Sequence, residues 1–354
     1  MTAVPTSSTP ETTEHDSDGR WDEAVRTLLE TSGSTRSRPG YEGCTVSTSL
    51  GFRHINYLAE AAVLEHFRSA GLAPGMLYDE FGLGLDVVHI DTRLPKNLHV
   101  DDLATLFVKP VHTPDDTRMR FDVTSTVSRA GRSVTNARST LEVLLRVEPG
   151  VDARLTVPAG LKRFVTERLG TAEPVELTVD PAPRPDLGSG RGTTVGRDSR
   201  RDPVLDELIG ENNAFGWKWR VPYFYCHFGD RMPMSGFLRQ LEEVVDLFLA
   251  DRGLDVKRVL DERHWIPVVT HSRLDLLDEV RMEEDLYTVY TVEEVFKSLL
   301  YTSRMDCYVV RDGRLVPTAT GRITHGYMTQ RSNGTWELVT FDEPTLRALS
   351  GEHR

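Results

Sequence analysis

The sequence is poor in cysteine, with three residues (Cys44, Cys226 and Cys307) in 354. They are odd in number, far apart and outside any metal-ligand spacing, which excludes a disulfide framework and fits a reducing compartment. Long apolar runs are absent as well, so no segment reads as a bilayer span. Clustered basic residues are missing, and the formal net charge is -12. That balance argues against nucleic acid or an anionic membrane as the main partner, because both need grouped Lys and Arg. Residues 1–19 are rich in Ser, Thr, Glu and Pro without an apolar centre and read as a disordered tail, not a signal peptide. A soluble, cytoplasmic protein with a small partner is the expectation.

The length permits two domains of ordinary size. After the tail, Trp21–Glu30 has helical periodicity, and a Ser/Gly/Arg/Pro loop leads to a strand-like start at Tyr41. A helix is expected from about Ile55 to Ser69, closed by Gly71-Leu72. Strand patterns follow at 84–92, 103–110, 119–128 and 133–147, with Ala130-Gly131 as a hairpin turn. Residues 151–170 read as a short helical piece. Residues 173–202 are rich in Pro, Gly and Arg and lack apolar periodicity, so they read as a linker. The expected division is a tail (1–19), a first unit (20–170), a linker (171–203) and a second unit (204–354).

The second half repeats the first at an offset of 182 residues. Cys44 meets Cys226, Glu60 meets Glu242, and Gly71-Leu72 meets Gly253-Leu254. Arg129, Gly131, Arg132 and Val134 meet Arg311, Gly313, Arg314 and Val316. The register slips around Arg93-Leu94, which match Arg273-Leu274 two residues early. One offset that recovers a loop, a helix end and a hairpin turn implies internal duplication of a unit with one helix and a curved antiparallel sheet, an α+β arrangement.

The stretch from Cys226 to Leu254 concentrates the polar chemistry. Apolar positions Phe237, Leu238, Leu241, Val244, Val245, Phe248 and Leu249 recur at helical spacing, with Ser235 as the expected N-cap. The first amides, Gly236 among them, would face whatever lies beside the preceding loop, with the positive end of the helix dipole behind them. His227, Asp230 and Glu242 are the candidate acid–base groups there. His227 is equally a loop histidine bonded to backbone, and Asp230 equally a surface carboxylate. Glu242 stands above a chance helix charge because Glu60 is its counterpart, and its neighbour Glu243 points about 100° away. Buried, Glu242 would gain a raised pKa. Arg53 and Arg231 are either phosphate contacts or solvated surface charges. The aromatic residues Phe215, Trp217, Trp219, Tyr223, Phe224 and Tyr225 largely alternate as a strand and read as core or pocket lining.

These residues resemble the hotdog-fold superfamily of acyl-thioester hydrolases and 3-hydroxyacyl-thioester dehydratases. Gly51-Phe-Arg-His-Ile-Asn-Tyr-Leu58, followed by Glu60 and Gly71-Leu72, is similar to the thioesterase pattern Gly-His-Val-Asn-Asn before the helix, with His54 and Asn56 in matching places. Phe228-Gly-Asp230, Gly236-Phe-Leu-Arg239 and Glu242-Glu243 look like the same region in the second half. His227-Phe228 with Met234-x-Gly236-x-Leu238 is also similar to the dehydratase pattern. There are departures: Ser49-Leu50 stand where the thioesterase aspartate belongs, no Gly-His follows Asp230, and Leu241 occupies the place of the dehydratase helix acid.

The resemblance implies a tandem, or double, hotdog whose acyl slot lies where the two units meet. It implies hydrolysis of an acyl thioester on coenzyme A or an acyl carrier protein, beside fatty-acid or polyketide-type biosynthesis. In that reading the Gly236 amide forms the oxyanion site and His227, Asp230 or Glu242 activates water, while His54, Asn56 and Glu60 mark a second site or a structural remnant. The alternatives are a 3-hydroxyacyl-thioester dehydratase, with His227 as base and Glu242 as acid, and a non-catalytic acyl-binding subunit. No metal or redox cofactor is implied, and the oligomeric state is left open, a homodimer included.

Overall fold

A computed structural model describes residues 14–111, 113, 115–170, 172–182, 202–226 and 229–352. His227 and most of the tail and linker therefore lie outside the described residues. Helix α1 (Glu14–Glu30) and strand β1 (Gly33–Ser37) precede helix α2 (Phe52–Ser69), helix α3 (Pro74–Phe81) and strands β2 (Leu83–Arg93), β3 (Ala104–Pro110), β4 (Met119–Arg129) and β5 (Arg132–Val147). Two short strands, β6 (Val165–Thr166) and β7 (Val175–Glu176), and helix α4 (Pro203–Ile209) lead into the second half. There β8 (Ala214–Arg220), α5 (Met234–Asp251), α6 (Val256–Arg263), β9 (Ile266–Leu276), β10 (Asp285–Phe296), β11 (Leu300–Arg311) and β12 (Arg314–Gln330) repeat the plan. β13 (Trp336–Leu338) and α7 (Glu343–Ser350) close the chain.

The main sheet runs β1-β3-β4-β5-β2-β9-β12-β11-β10-β8, so each half contributes five strands in mirrored order. Each half-sheet curls around its own long helix. Phe248, Leu241 and Val244 of α5 and Val63 and Phe67 of α2 are fully buried against these sheets, and each such side chain contributes about 1.5–3 kcal/mol of transfer free energy. The helices stop at glycines in the left-handed region, Gly71 (φ 82°) and Gly253 (φ 70°), where a Cβ is disfavoured.

The duplication is built into the irregularities. Bulge residues Val88 on β2 and Asn136 on β5 interrupt the first half's pairing, and Thr270 on β9 and Thr318 on β12 interrupt the second's, each 182 residues on. The two-residue turns Ala130-Gly131 and Asp312-Gly313 both have positive φ at both positions, as the right-handed strand twist demands of a tight hairpin. Because the bulges keep register, Arg93 corresponds to Asp275, and the apparent slip to Arg273-Leu274 is not present in the fold.

The halves join edge to edge, β2 against β9, centred on the pair Asp91 and Arg273. Under the seam, Asn56 Nδ2 donates to Phe52 O (3.1 Å) and Ser272 Oγ (3.2 Å), and its Oδ1 accepts from Thr92 (2.5 Å). Residues 151–170, expected to be helical, hold only a 3-10 segment (Ala159–Phe164). Pro158 fixes its start, and the chain then extends along β5 as β6. β1 sits in the stretch read as loop; its five polar and small residues give no periodicity and, among the described residues, it pairs only with β3. No helix among the described residues is long and apolar enough to cross a membrane.

Candidate active site at the seam of the two units

The start of α2 is fixed by backbone. Cys44 bridges Leu50, Thr45 N donates to Ser49 O (2.9 Å), Gly51 N to Gly43 O (3.0 Å) and Leu50 N to Leu98 O (2.8 Å). Gly51 is the N-cap and offers no side chain. The amides of Phe52, Arg53 and His54 have no hydrogen-bond partner among the described residues. An uncapped first turn with the dipole behind it is an anion-binding end.

A cavity of about 220 Å³ opens at this helix start. Thr45, Val46, Lys96, Asn97 and Asp246 form its exposed mouth, and Leu50, Phe52, Ile55, Val245, Leu249 and His325 its buried floor. One wall is therefore α2 of the first unit; the facing wall is α5 and β9 of the second. Glu242, from α5, places its carboxylate 3.5 Å from where a Cβ on Gly51 would stand. Arg53 Nε donates to Glu242 Oε2 at 2.5 Å and fixes the carboxylate in that position. With 42% of its side chain exposed, Glu242 remains reachable by water. A positioned carboxylate, free amides and an apolar slot suffice to polarise a carbonyl and activate water beside it. Among the described residues no cluster of three or more His, Cys, Asp or Glu side chains forms a metal site.

The expected centre at the start of α5 is not assembled. Helix α5 begins at Met234 with Pro233, not Ser235, at the N-cap, and the Gly236 amide already donates to Pro233 O (2.9 Å). It is therefore not available as an oxyanion donor. Gly236 is packed so closely that a Cβ would stand 2.7 Å from Met232 Cγ. Asp230 is exposed in the preceding turn, and Glu242 lies about two turns further along α5, facing α2 instead. Of the described residues expected to converge there, Glu242 alone lines the cavity; His227 lies outside the described residues.

Arg231 is not a surface charge. It is buried and donates to both carboxylate oxygens of Glu148, one at 2.8 Å, with Asp86 3.6 Å away. Arg146 pairs with Glu279 and with Asp86 (3.4 Å). Burial raises the Asp86 carboxyl against the pull of the two arginines. This ion network links the two units where, at the first site, Ser49 and Val268 occupy the corresponding places.

Of the second-site candidates, Asn56 is a fully bonded strut under the seam, as described above. His54 is partly buried, edge-on to Tyr57 (5.3 Å between rings), and its pKa is lowered by burial and by Arg53. Glu60 stands one turn past Tyr57, whose hydroxyl donates to Ser235 O of the other unit's helix (2.9 Å). Burial pushes its carboxyl up to about 7. Cys226 and Cys307 are buried, and burial raises both thiols, which keeps them protonated. Phe215, Trp217 and Trp219 are buried on β8, the two indoles stacked at 5.2 Å, whereas Tyr223 and Phe224 are exposed.

Sequence reasoning missed the pairing of Glu242 with Gly51 and the floor residue His325. The signal for the first was present in the repeat itself, since a helix acid in one unit can face the other unit's helix start. His325, held neutral by burial with its pKa pushed down to about 3, had no motif to mark it.

No protein-family model matches the chain, and no curated protein matches its sequence. Its architecture is similar to solved structures. A putative oleoyl thioesterase from Lactobacillus plantarum is 11% identical, with a TM-score of 0.52, covering 84% of this chain and 96% of that one. The 12:0-ACP thioesterase from Umbellularia californica is 11% identical, with a TM-score of 0.51, covering 87% of this chain and 98% of that one. Likeness at this identity concerns the fold: two hotdog units, each a helix wrapped by a curved antiparallel sheet, in a single polypeptide.

Proposed function

We propose that this tandem hotdog protein, its units taken as residues 20–170 and 204–354, hydrolyses an acyl thioester in the slot between them. The observation that carries the reading is Glu242 of one unit, held by Arg53 against the uncapped start of the other unit's α2. The acyl group lies on the buried floor and the thioester oxygen accepts from the first-turn amides of α2. Glu242 takes a proton from water as the water oxygen bonds to the carbonyl carbon. The tetrahedral intermediate collapses, the C–S bond breaks, and the thiolate leaves with the proton that Glu242 returns. The thioesterase names of the two structures of similar architecture support this reading. The carrier in this proposal is coenzyme A or an acyl carrier protein, and the biosynthetic setting of fatty-acid or polyketide type is the one that the resemblance implies. A cavity of about 220 Å³ is smaller than the ~300–1,000 Å³ of common ligand pockets and favours a short acyl group.

The test offers acyl and 3-hydroxyacyl thioesters to the purified protein and follows free thiol and enoyl absorbance separately. Thiol release without enoyl product is expected. Enoyl product without thiol release would make the protein a dehydratase, and neither product together with ligand-induced thermal stabilisation would make it an acyl-binding subunit.

A further inference from the structure

The repeat supplies an internal control for the acyl slot. In the first unit the inner sheet face over α2 is apolar where Met119, Phe121, Val143 and Leu145 stand. At the same places, 182 residues on, the second unit has Tyr301, Ser303, His325 and Tyr327, all buried. The first unit shows that this fold closes its core with hydrocarbon at these positions, so the polar groups are not a requirement of packing.

They are also incompletely matched. His325 is 5% exposed, stacks on Tyr301 (5.1 Å between rings, 18°), and its Nε2 has no hydrogen-bond partner among the described residues. The Tyr327 hydroxyl, two residues along the same strand face, has none either. Buried polar atoms are nearly always paired, because leaving one unmatched forfeits its hydration. His325 lines the floor of the cavity at the seam, so its imidazole borders the space in which the acyl group lies.

We propose that the slot selects acyl chains carrying an oxygen function, a hydroxyl or ketone, toward the end remote from the thioester, which bonds to the His325 imidazole. The inference rests on the acyl-thioester reading of the slot. A plain hydrocarbon chain would cover the imidazole and leave it unsatisfied; an oxygenated chain completes it. A neutral imidazole nitrogen can donate or accept, so both a hydroxyl and a ketone fit.

The experiment uses uncleavable probes, S-(2-oxoalkyl) thioethers of pantetheine, the arm common to coenzyme A and carrier proteins. They form a length series from hexanoyl to dodecanoyl equivalents, each with a plain, ω-hydroxy or penultimate-oxo end. Titration calorimetry on the full chain is expected to give at least about tenfold tighter binding for the oxygenated member at the best length, since a polar group left unpaired by the wrong ligand is strongly selected against. His325→Val, which installs the residue the first unit carries at that place, is expected to reverse the preference. Equal or tighter binding of plain chains to the wild type, or no binding of any probe, would overturn the inference, as would an unchanged ratio in H325V. The wild-type ratio decides even if the variant does not fold. Selective binding without turnover of the matching thioester would remove the hydrolytic reading and keep this one; turnover with a preference for plain chains would do the opposite.

Discussion

Replacing Glu60 by Gln should stabilise the protein at neutral and alkaline pH, although the residue sits in the middle of a core helix. Burial raises its carboxyl from the ordinary 4.5 to about 7. In the unfolded chain the group ionises as the pH passes 4.5; in the folded protein it holds its proton until about 7. Below 4.5 both states are protonated and no penalty exists. Between 4.5 and 7 the folded state binds more protons than the unfolded one, so stability falls as pH rises, and above 7 the full loss is present. A shift of that size, at about 1.4 kcal/mol per unit, amounts to about 3 kcal/mol. With an unfolding entropy of about 2.1 cal/mol/K per residue, the melting temperature should differ by roughly 4 °C. Glutamine keeps the shape and never ionises. Urea denaturation of wild type and E60Q at intervals from pH 4.5 to 8 cancels all other titrating groups in the difference. The variant should gain about 3 kcal/mol on the wild type across that range. A difference that stays flat with pH would show that Glu60 is solvated and would refute the burial argument.

Two further substitutions follow from the same contacts. Glu148→Ala strips the buried Arg231 guanidinium of its two-oxygen partner and should cost about 3–5 kcal/mol, read as a shift of the denaturation midpoint with unchanged slope. Gly236→Ala forces a Cβ to within 2.7 Å of Met232 Cγ and 3.1 Å of Tyr225 O. It should lower stability by about 1–3 kcal/mol while turnover per folded molecule stays within about twofold, because the oxyanion donors belong to α2; a turnover loss of a hundredfold at full folding would return that role to α5.

The architecture was legible because duplication wrote it twice. Helix ends at Gly71 and Gly253 and the turns at Ala130-Gly131 and Asp312-Gly313 are local chemistry that sequence displays directly. β1 was hidden because an edge strand with one neighbour needs no apolar alternation. The site was half legible. Glu242 stood out through its counterpart Glu60, but its partner lies 189 residues away in Arg53, and no local pattern reports which helix start a side chain reaches. Gly236 misled for a related reason: a glycine near a helix start suggests an open amide, whereas this one already bonds Pro233 and is wedged against Met232. Arg231 likewise read as a phosphate contact or a surface charge because its acidic partners come from the other unit.

The steady-state hydrolysis of a short-chain acyl thioester by wild type and Glu242→Gln bears on all of this most directly. Loss of the general base should lower kcat by about 10²–10⁴, with KM changed by less than about threefold and the fold intact by circular dichroism. A folded E242Q protein that turns over at the wild-type rate would contradict the assignment of the reaction to the slot between the two units.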